Sequence, residues 1–253
     1  MRLNQFIAYY SKFSRREADK LISEGRVSIK KEIIRDFSYQ VDEKTAVYLD
    51  KKLLKIKDKY SVIVYNKPKG ELVTKKDDRG RRTIYESLPK KFSHFLCVGR
   101  LDFASEGLLL LSDSPKVVTK LMESSLERVY LLKVAGRIKE EVFLAMQEGL
   151  SLENAKKGAH AKSVIESMDF APFLDYSVIK NTASYSKIKV KIKEGKNREL
   201  RRFFAHFNLE VLDLKRIAYG FVSLNNLPSQ KVRYLNRTEY NKLHAFMKEC
   251  DEG

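Results

Sequence analysis

One acidic residue, Asp102, stands in a short polar segment between two apolar stretches. Residues 95–98 and 108–111 are apolar and bounded by turn-forming residues, which predicts two buried strands with the polar residues in their connection. That connection reads Gly-Arg-Leu-Asp-Phe-Ala-Ser-Glu-Gly, so Arg100 lies beside the carboxylate. A nearby cation favours the charged form of an acid even under partial desolvation. The segment predicts an active-site loop presenting Asp102 as a nucleophile or base, although an Arg and an Asp can also simply decorate a hairpin turn.

The first sixty residues predict a small unit of helices and strands. Apolar residues recur at the i, i+3, i+4 and i+7 positions of an amphipathic helix, at Leu3, Phe6, Ile7 and Tyr10. A second helix is expected from Ser14, which can cap it with Glu17 returning the hydrogen bond, to Gly25, which can end it. Short strands are expected at residues 26–29, 32–34 and 47–49.

The second predicted helix turns basic side chains away from its apolar face. Arg15, Arg16 and Lys20 occupy this outer face. Such a row is either an ordinary solvated surface or a phosphate-binding one, and charge alone does not separate the two.

The charge of the whole chain favours a polyanionic partner. Its 253 residues carry a formal net charge of +17 with a pI near 9.7, and this excess of positive charge attracts phosphate backbones. No apolar run approaches the length of a membrane-spanning helix, and the N-terminus does not resemble a signal peptide. We therefore expect a cytoplasmic protein.

Motifs for metal or nucleotide chemistry are missing from the sequence. The two cysteines and four histidines are scattered without ligand spacing. No glycine-rich turn has dinucleotide-binding or phosphate-cradling spacing. We expect no metal site and no nucleotide cofactor.

A charged stretch near residues 51–59 separates the first unit from the rest of the chain. We place the domain boundary there, with domains at 1–58 and 59–253. The larger part alternates strand-like and helix-like segments, which indicates an α+β domain. Strands are expected at 62–65, 128–134 and 187–193, and helices at 115–123, 140–149, 198–207 and 238–248.

Three further segments carry candidate site residues. Lys67 begins a basic turn of the form Lys-Pro-Lys-Gly; Tyr130 lies in an alternating strand; Leu200 and Arg201 belong to the run Asn-Arg-Glu-Leu-Arg-Arg, where a helix begins. Each also has a simpler interpretation. The turn can be ordinary, the tyrosine can belong to the core, and the helix can be an amphipathic surface helix.

Taken together, the Gly-Arg-Leu-Asp segment with its following glycine and leucines, the basic turn, the tyrosine strand and the Asn-Arg-Glu-Leu-Arg-Arg run resemble the pseudouridine synthases of the RsuA type, which modify ribosomal RNA. The first sixty residues resemble the α-L RNA-binding module of a small-subunit ribosomal protein. The resemblance spans nearly the whole chain. It implies a mixed, mainly antiparallel sheet flanked by helices, and an enzyme that works without cofactors. Ala104 departs from the acidic or polar residue of many relatives, at a position to which the family assigns no chemistry.

The resemblance also implies roles for individual residues. Asp102 would be the essential carboxylate, with Arg201 paired to it. Tyr130 would stack on a flipped-out base, which needs an aromatic face in place of its lost neighbours, and Leu200 would pack in the same pocket. Basic residues of both domains would bind the flanking phosphates, namely Lys67, Arg100, Arg15, Arg16, Lys20 and Arg26.

The sequence therefore predicts isomerisation of uridine to pseudouridine in ribosomal RNA by a monomer. The Asn-Arg-Glu-Leu-Arg-Arg version of the last motif favours the large-subunit branch. The main alternative is a noncatalytic ribosome-assembly factor, which accounts for the charge but not for Asp102, Tyr130 and Arg201 occurring together. An RNA methyltransferase would ordinarily need a cofactor-binding glycine loop, and none is visible.

Overall fold

The computed structural model describes residues 1–11, 13–42, 44–55, 59–159 and 164–252. The chain divides into two compact units, the first comprising Met1–Ser61 with Ser112–Val117 and the second Val62–Leu111 with Val118–Gly253. Within the described ranges, no helix is long and apolar enough to cross a membrane.

The first unit combines two helices with a four-stranded sheet. Its elements are α1 (Leu3–Tyr10), α2 (Arg15–Ser23), β1 (Val27–Ile29), β2 (Glu32–Ile33), β3 (Val47–Leu49) and β4 (Lys52–Leu53). The strand order is β2-β1-β3-β4, and all neighbouring pairs are antiparallel. The apolar faces of both helices pack with β1 and β3 in one core, which includes Leu3, Phe6, Ile22, Val27 and Val47.

The predicted cap at the start of α2 is confirmed. The backbone N–H of Glu17 donates to Ser14 Oγ over 3.3 Å, and the backbone N–H of Ser14 donates to the Glu17 carboxylate over 2.7 Å. These two bonds satisfy donors that the first helical turn leaves without partners. Gly25 follows the helix with a φ of +73°, a conformation that glycine adopts without steric cost.

The remaining elements build a larger sheet and its flanking helices. The helices are α3 (Ile84–Ser87), α4 (Pro115–Glu123), α5 (Glu140–Glu148), α6 (Glu199–His206) and α7 (Arg237–Glu252), with a 3₁₀ turn at Lys90–Phe92. The strands are β5 (Val62–Lys67), β6 (Leu96–Cys97), β7 (Glu106–Ser112), β8 (Arg128–Ala135), β9 (Leu150–Leu152), β10 (Met168–Phe170), β11 (Asp175–Asn181), β12 (Tyr185–Ile192), β13 (Val211–Tyr219), β14 (Val222–Ser223) and β15 (Val232–Tyr234).

Nine of these strands form one mixed sheet. Its order is β11-β12-β8-β13-β7-β5-β15, with β14 on β13 and β6 on β7. The pairs β11-β12, β12-β8, β8-β13 and β15-β5 are antiparallel, whereas β13 and β7 run parallel. Strands β9 and β10 form a separate antiparallel pair. The expected mixed, mainly antiparallel sheet flanked by helices is confirmed.

The sheet buries one face under α5 and α6. Inward residues of β8 and β12, such as Leu132, Val134 and Ile188, pack with Val142 of α5 and Phe203 of α6. Alternate residues of these strands project to opposite faces of the sheet. Along β12, buried residues therefore alternate with residues that are partly or fully exposed.

The structure departs from the sequence prediction at several elements. Strands β9–β11 and β13–β15 were not expected, and α7 extends beyond the predicted 238–248. Strand β13 was missed because Lys215 and Arg216 interrupt its apolar pattern, although Arg216 is only 4% exposed. The predicted strand at 95–98 is shorter and half-buried, at Leu96–Cys97.

Candidate active site

A cleft of about 210 Å³ opens where α6 begins, over strands β8 and β13. All of its lining residues belong to the second unit. They include Asp102, Tyr130, Leu200, Arg201, Leu214 and Arg216. Four regions that are distant in sequence therefore meet in one concave site.

The loop between β6 and β7 holds Asp102 at the cleft. The Ser105 N–H donates to the Asp102 carbonyl over 3.0 Å, closing a tight turn. The Lys67 ammonium donates to the carbonyls of Pro68, Asp102 and Ser105 over 2.9, 3.2 and 2.9 Å. The Asp102 side chain keeps 34% of its surface exposed. Lys67 thus fixes the backbone of the loop, while the Asp102 carboxylate remains accessible.

Two guanidinium groups from α6 and its N-cap flank the carboxylate. Arg198 Nη1 lies 3.3 Å and Arg201 Nε lies 3.6 Å from Asp102 Oδ2. Arg201 is the more buried, with 10% of its side chain exposed against 23% for Arg198. Both guanidinium groups therefore reach the same carboxylate oxygen, one from the N-cap and one from the first turn of the helix.

Arg201 also donates hydrogen bonds to β13 and to the Asp102 loop. Its Nη1 donates to the Val211 carbonyl over 3.0 Å, and its Nη2 donates to the Ala104 carbonyl and Ser105 Oγ, each over 3.2 Å. Burial lowers the pKa of the guanidinium from its ordinary value. The side chain links α6, β13 and the Asp102 loop, so it can orient the carboxylate as well as balance its charge.

The sequence analysis overlooked Arg198. This residue is the N-cap of α6 with a φ of +52°, and its Nε donates to the Gly158 carbonyl over 2.7 Å. The sequence feature that marks Arg198 is the Asn-Arg-Glu-Leu-Arg-Arg run, in which it precedes Arg201 by three residues. That spacing was not used, because only Arg201 had a role in the resembling family.

Tyr130 of β8 and Leu200 of α6 both line the cleft. Tyr130 is 7% and Leu200 3% exposed, and both also belong to the apolar core of the second unit. Each residue thus has one part in the core and one part lining the cleft. The core interpretation and the pocket interpretation of Tyr130 are compatible.

Lys67 does not lie where a phosphate could reach it. The sequence analysis expected this lysine to grip a flanking phosphate, but the side chain is fully buried. Its three bonds to carbonyls occupy all the donors of an ammonium group. Burial lowers the pKa of Lys67 to about 8. Lys67 is therefore a positioning residue for the Asp102 loop, whereas Arg100 is exposed at the rim of the cleft.

In the first unit, α2 displays the expected basic face. Arg15, Arg16 and Lys20 are exposed. Arg26 differs from the expectation, because it pairs with Asp50 through two hydrogen bonds, Nε to Oδ1 over 2.8 Å and Nη2 to Oδ2 over 2.6 Å. The hydrogen bond with Asp50 raises the pKa of Arg26. Its charge is thus balanced within the unit rather than presented free to a phosphate.

The remaining ionisable groups of the cleft do not form a metal site. Among the described residues, no group of three or more His, Cys, Asp or Glu side chains could hold a metal ion. Glu199 is 5% exposed, and burial raises its pKa to about 6. Its carboxylate accepts the Lys196 N–H over 2.9 Å, which supports the first turn of α6.

Known proteins share both the sequence motifs and the fold of this chain. The model of the RNA pseudouridylate synthase family matches residues 61–206, and the S4 domain model matches residues 1–55. The chain belongs to the RNA pseudouridylate synthase family. The two matches together imply an RNA substrate.

Individual relatives agree with the family assignment. An uncharacterized RNA pseudouridine synthase of Helicobacter pylori is 62% identical over 249 residues, covering 98% of this chain and 95% of the relative. Ribosomal large subunit pseudouridine synthase B of Bacillus subtilis is 30% identical over 246 residues, covering 96% of each chain. A solved pseudouridylate synthase structure superposes with a TM-score of 0.65 at 26% identity, covering 96% of this chain and 99% of that one.

Proposed function

We propose that this protein converts a uridine of large-subunit ribosomal RNA to pseudouridine, with Asp102 as the essential carboxylate. The observation that carries the proposal is the placement of Asp102, accessible at the cleft and flanked by Arg198 and Arg201. A carboxylate that must act on a substrate needs this combination of access and a fixed orientation.

The reaction itself needs no external reagent. The bond from ribose C1′ to uracil N1 breaks, the uracil turns, and C1′ bonds to C5 instead, so no group is donated and nothing is oxidised. Asp102 acts either on the ribose or on the base in this scheme. Arg201 holds the carboxylate in place through its contacts with the loop, and Arg198 adds a second positive charge.

The target uridine would leave its RNA helix to enter the cleft. Extruding a base costs a few kcal/mol, which the site must offset by stacking and hydrogen bonds. Tyr130 offers the aromatic face, and Leu200 adds an apolar contact in the same cleft. Because both are anchored in the core, they keep their places whether or not a base is present.

The choice of substrate rests on the relatives and on the basic surfaces. The Bacillus subtilis relative is named for the large ribosomal subunit, and the Asn-Arg-Glu-Leu-Arg-Arg motif favours the same branch. Arg15, Arg16 and Lys20 on α2 and Arg100 at the cleft rim are exposed cations suited to phosphates. We propose a monomer with an RNA-binding domain at 1–58 and a catalytic domain at 59–253, acting in the cytoplasm, where its substrate is made.

The test is pseudouridine mapping on both ribosomal RNAs, by carbodiimide adducts and reverse-transcriptase stops. The cells carry wild type, Asp102→Asn or the exposed control Asp175→Asn as their only copy. We expect one large-subunit stop to be present with wild type and with the control, and absent with Asp102→Asn. Removal of a small-subunit stop instead would move the substrate to the other ribosomal RNA.

Survival of every stop in the Asp102→Asn cells would contradict the proposal. The noncatalytic assembly factor would then be the better account of the basic surfaces. Equal amounts of each variant on immunoblots are the control for expression.

A further inference from the structure

Arg216 stands beside the proposed stacking residue and has no role so far. It lies on β13 directly opposite Tyr130 of β8 in the antiparallel register, and such cross-strand partners project from the same face of a sheet. Both side chains line the cleft. The register shifts between Arg216 and Ala218, and such irregularities re-aim side chains next to active sites.

The hydrogen bonds of Arg216 are incomplete. Its Nε donates to the Leu108 carbonyl over 2.7 Å, which fixes the plane of the guanidinium. Its Nη2 is buried and has no hydrogen-bond partner in the described structure. Across the described residues, no carboxylate pairs with this side chain, although it is only 4% exposed.

Arg128 provides the contrast, because it lines the same cleft and both of its terminal nitrogens have hydrogen-bond partners. Its Nη1 donates to the carbonyls of Leu126 and Lys193, and its Nη2 donates to Tyr219 Oη over 3.1 Å. An arginine used only for structure therefore finds acceptors in this region. Leaving a buried guanidinium nitrogen without one is costly, which points to a ligand as the missing acceptor.

The backbone is built to allow this placement. Gly107 of β7 pairs with Arg216 and has a φ of +105°. A Cβ atom at position 107 would lie 2.2 Å from the Arg216 carbonyl oxygen, so any side chain there would push the two strands apart. The position of Arg216 is thus set by the close approach of β7 as well as by its own hydrogen bond.

We propose that Arg216 donates a hydrogen bond to a carbonyl oxygen of the flipped uracil and stabilises the negative charge that the base acquires during the reaction. This inference rests on the proposed function, since it takes uridine as the substrate. Next to Tyr130 and Arg216, the cleft would hold the base rather than the RNA backbone.

The chemistry requires such a group. When the bond from C1′ to N1 breaks, its electron pair leaves with the uracil, and the negative charge spreads over N1 and the two carbonyl oxygens. C5 then bonds to C1′ and loses its proton, and N1 takes up a proton. The charge appears whether Asp102 acts on the ribose or on the base. A buried cation that donates hydrogen bonds without giving up a proton suits this intermediate.

The test compares variants on two RNAs. Transcripts spanning the mapped site are made with uridine or with 5-fluorouridine and incubated under single-turnover conditions. Loss of the original nucleoside is monitored by nuclease digestion, liquid chromatography, which separates pseudouridine from uridine of the same mass, and mass spectrometry. Fluorine withdraws electrons from the detached base and stabilises its negative charge. A variant that has lost this stabilisation should therefore be partly rescued on the fluorinated RNA.

We expect Arg216→Met to slow breakage of the bond from C1′ to N1 about a hundredfold on uridine RNA and about tenfold on 5-fluorouridine RNA. These values follow the effect of losing one donor from an oxyanion hole. Arg216→Lys, which keeps the charge, should lose less on uridine RNA. Arg128→Met is the matched control, and its loss should be the same on both RNAs because its guanidinium supports the fold. Thermal melting measures the stability of each variant.

Equal losses for Arg216→Met on the two RNAs would overturn the assignment while leaving the proposed function intact. If wild type itself left the uridine transcript unmodified, the proposed function would fall and the role of Arg216 with it.

Discussion

The two units of this protein use the same residue types in opposite ways. The cations of α2, namely Arg15, Arg16 and Lys20, are exposed. In the second unit, three cations at or beside the cleft keep little or no exposed surface, namely Lys67, Arg201 and Arg216. Exposed charges are hydrated and screened by salt, so they attract phosphates without fixing their position. Buried charges face chosen acceptors at fixed distances, so they can set the geometry of a reaction.

The comparison teaches that net charge and catalytic charge are separate properties of this chain. We expect removal of the exposed charges to lower RNA affinity by degrees, whereas removal of a buried cation such as Lys67 or Arg201 breaks several specific contacts at once. Four tests probe the cleft and the basic face of α2, beginning with the largest expected effect.

Arg201→Gln should lower kcat about a thousandfold, since an oriented charge beside the reacting carboxylate is lost. Binding of the RNA should change little. Arg198→Gln is the matched variant and should cost less, because Arg198 is more exposed and contacts the loop through the Asp102 carboxylate alone, whereas Arg201 also donates to Ala104 and Ser105. Single-turnover kinetics with filter binding measure both quantities. A larger loss for Arg198→Gln would reverse the assigned roles.

Tyr130→Ala should lower kcat about a hundredfold, in line with the 1–3 kcal/mol that stacking on an aromatic ring contributes per base. Tyr130→Phe keeps the ring and should retain most of the activity. The same assay, with RNA affinity measured in parallel, distinguishes a stacking role from a general one. Comparable losses for Phe and Ala, or equal losses of affinity and rate, would argue against stacking.

Replacing Arg15, Arg16 and Lys20 together by Gln should weaken RNA binding about tenfold near physiological salt and lower the slope of log Kd against log salt by about 2–3. The rate for bound RNA should stay unchanged. Titrations at several salt concentrations measure the slope. Circular dichroism checks that α2, whose cap does not involve these side chains, remains folded. An unaltered slope would remove α2 from the RNA interface.

Lys67 should make stability depend on pH. Its pKa is about 8 in the folded protein and 10.5 as the ordinary value, so between these pH values the unfolded chain binds more protons. The free energy of unfolding contributed by this group therefore rises with pH in that window. Between pH 8 and 9, wild type should gain about 1 kcal/mol relative to Lys67→Met.

Denaturant unfolding at each pH measures the Lys67 effect. Lys189→Met, at an exposed position, is the control for loss of a lysine charge. Parallel pH profiles for wild type and Lys67→Met would mean that the buried ammonium keeps its ordinary proton affinity.

Local patterns were sufficient for much of the fold. The cap at Ser14 with Glu17, the helical spacing of Leu3 to Tyr10 and the run before Lys67 all predict their elements, because each depends on neighbours within a few residues. The strand β13 was missed for the converse reason. Lys215 and Arg216 break its apolar pattern. They lie in a strand because they pair with residues of β7 and β8, which are distant in sequence.

The site was predictable in its members but not in their arrangement. Asp102, Tyr130, Leu200 and Arg201 were named from motifs, and the structure brings all four to one cleft. Lys67 was assigned to a phosphate because the resembling family uses this turn beside the RNA. Its three carbonyl acceptors belong partly to residues 102 and 105, and no local pattern reveals them.

By itself, the sequence determined which residues carry charge, where the helices of the first unit begin, and which motifs relate the chain to RNA-modifying enzymes. The tertiary structure alone decided which cations are buried. Burial depends on strands and loops distant in sequence closing around a side chain, as β5 and the Asp102 loop do around Lys67 and as β7 and β8 do around Arg216. The same positive charge therefore attracts RNA on one surface and positions or receives a reacting group in the cleft.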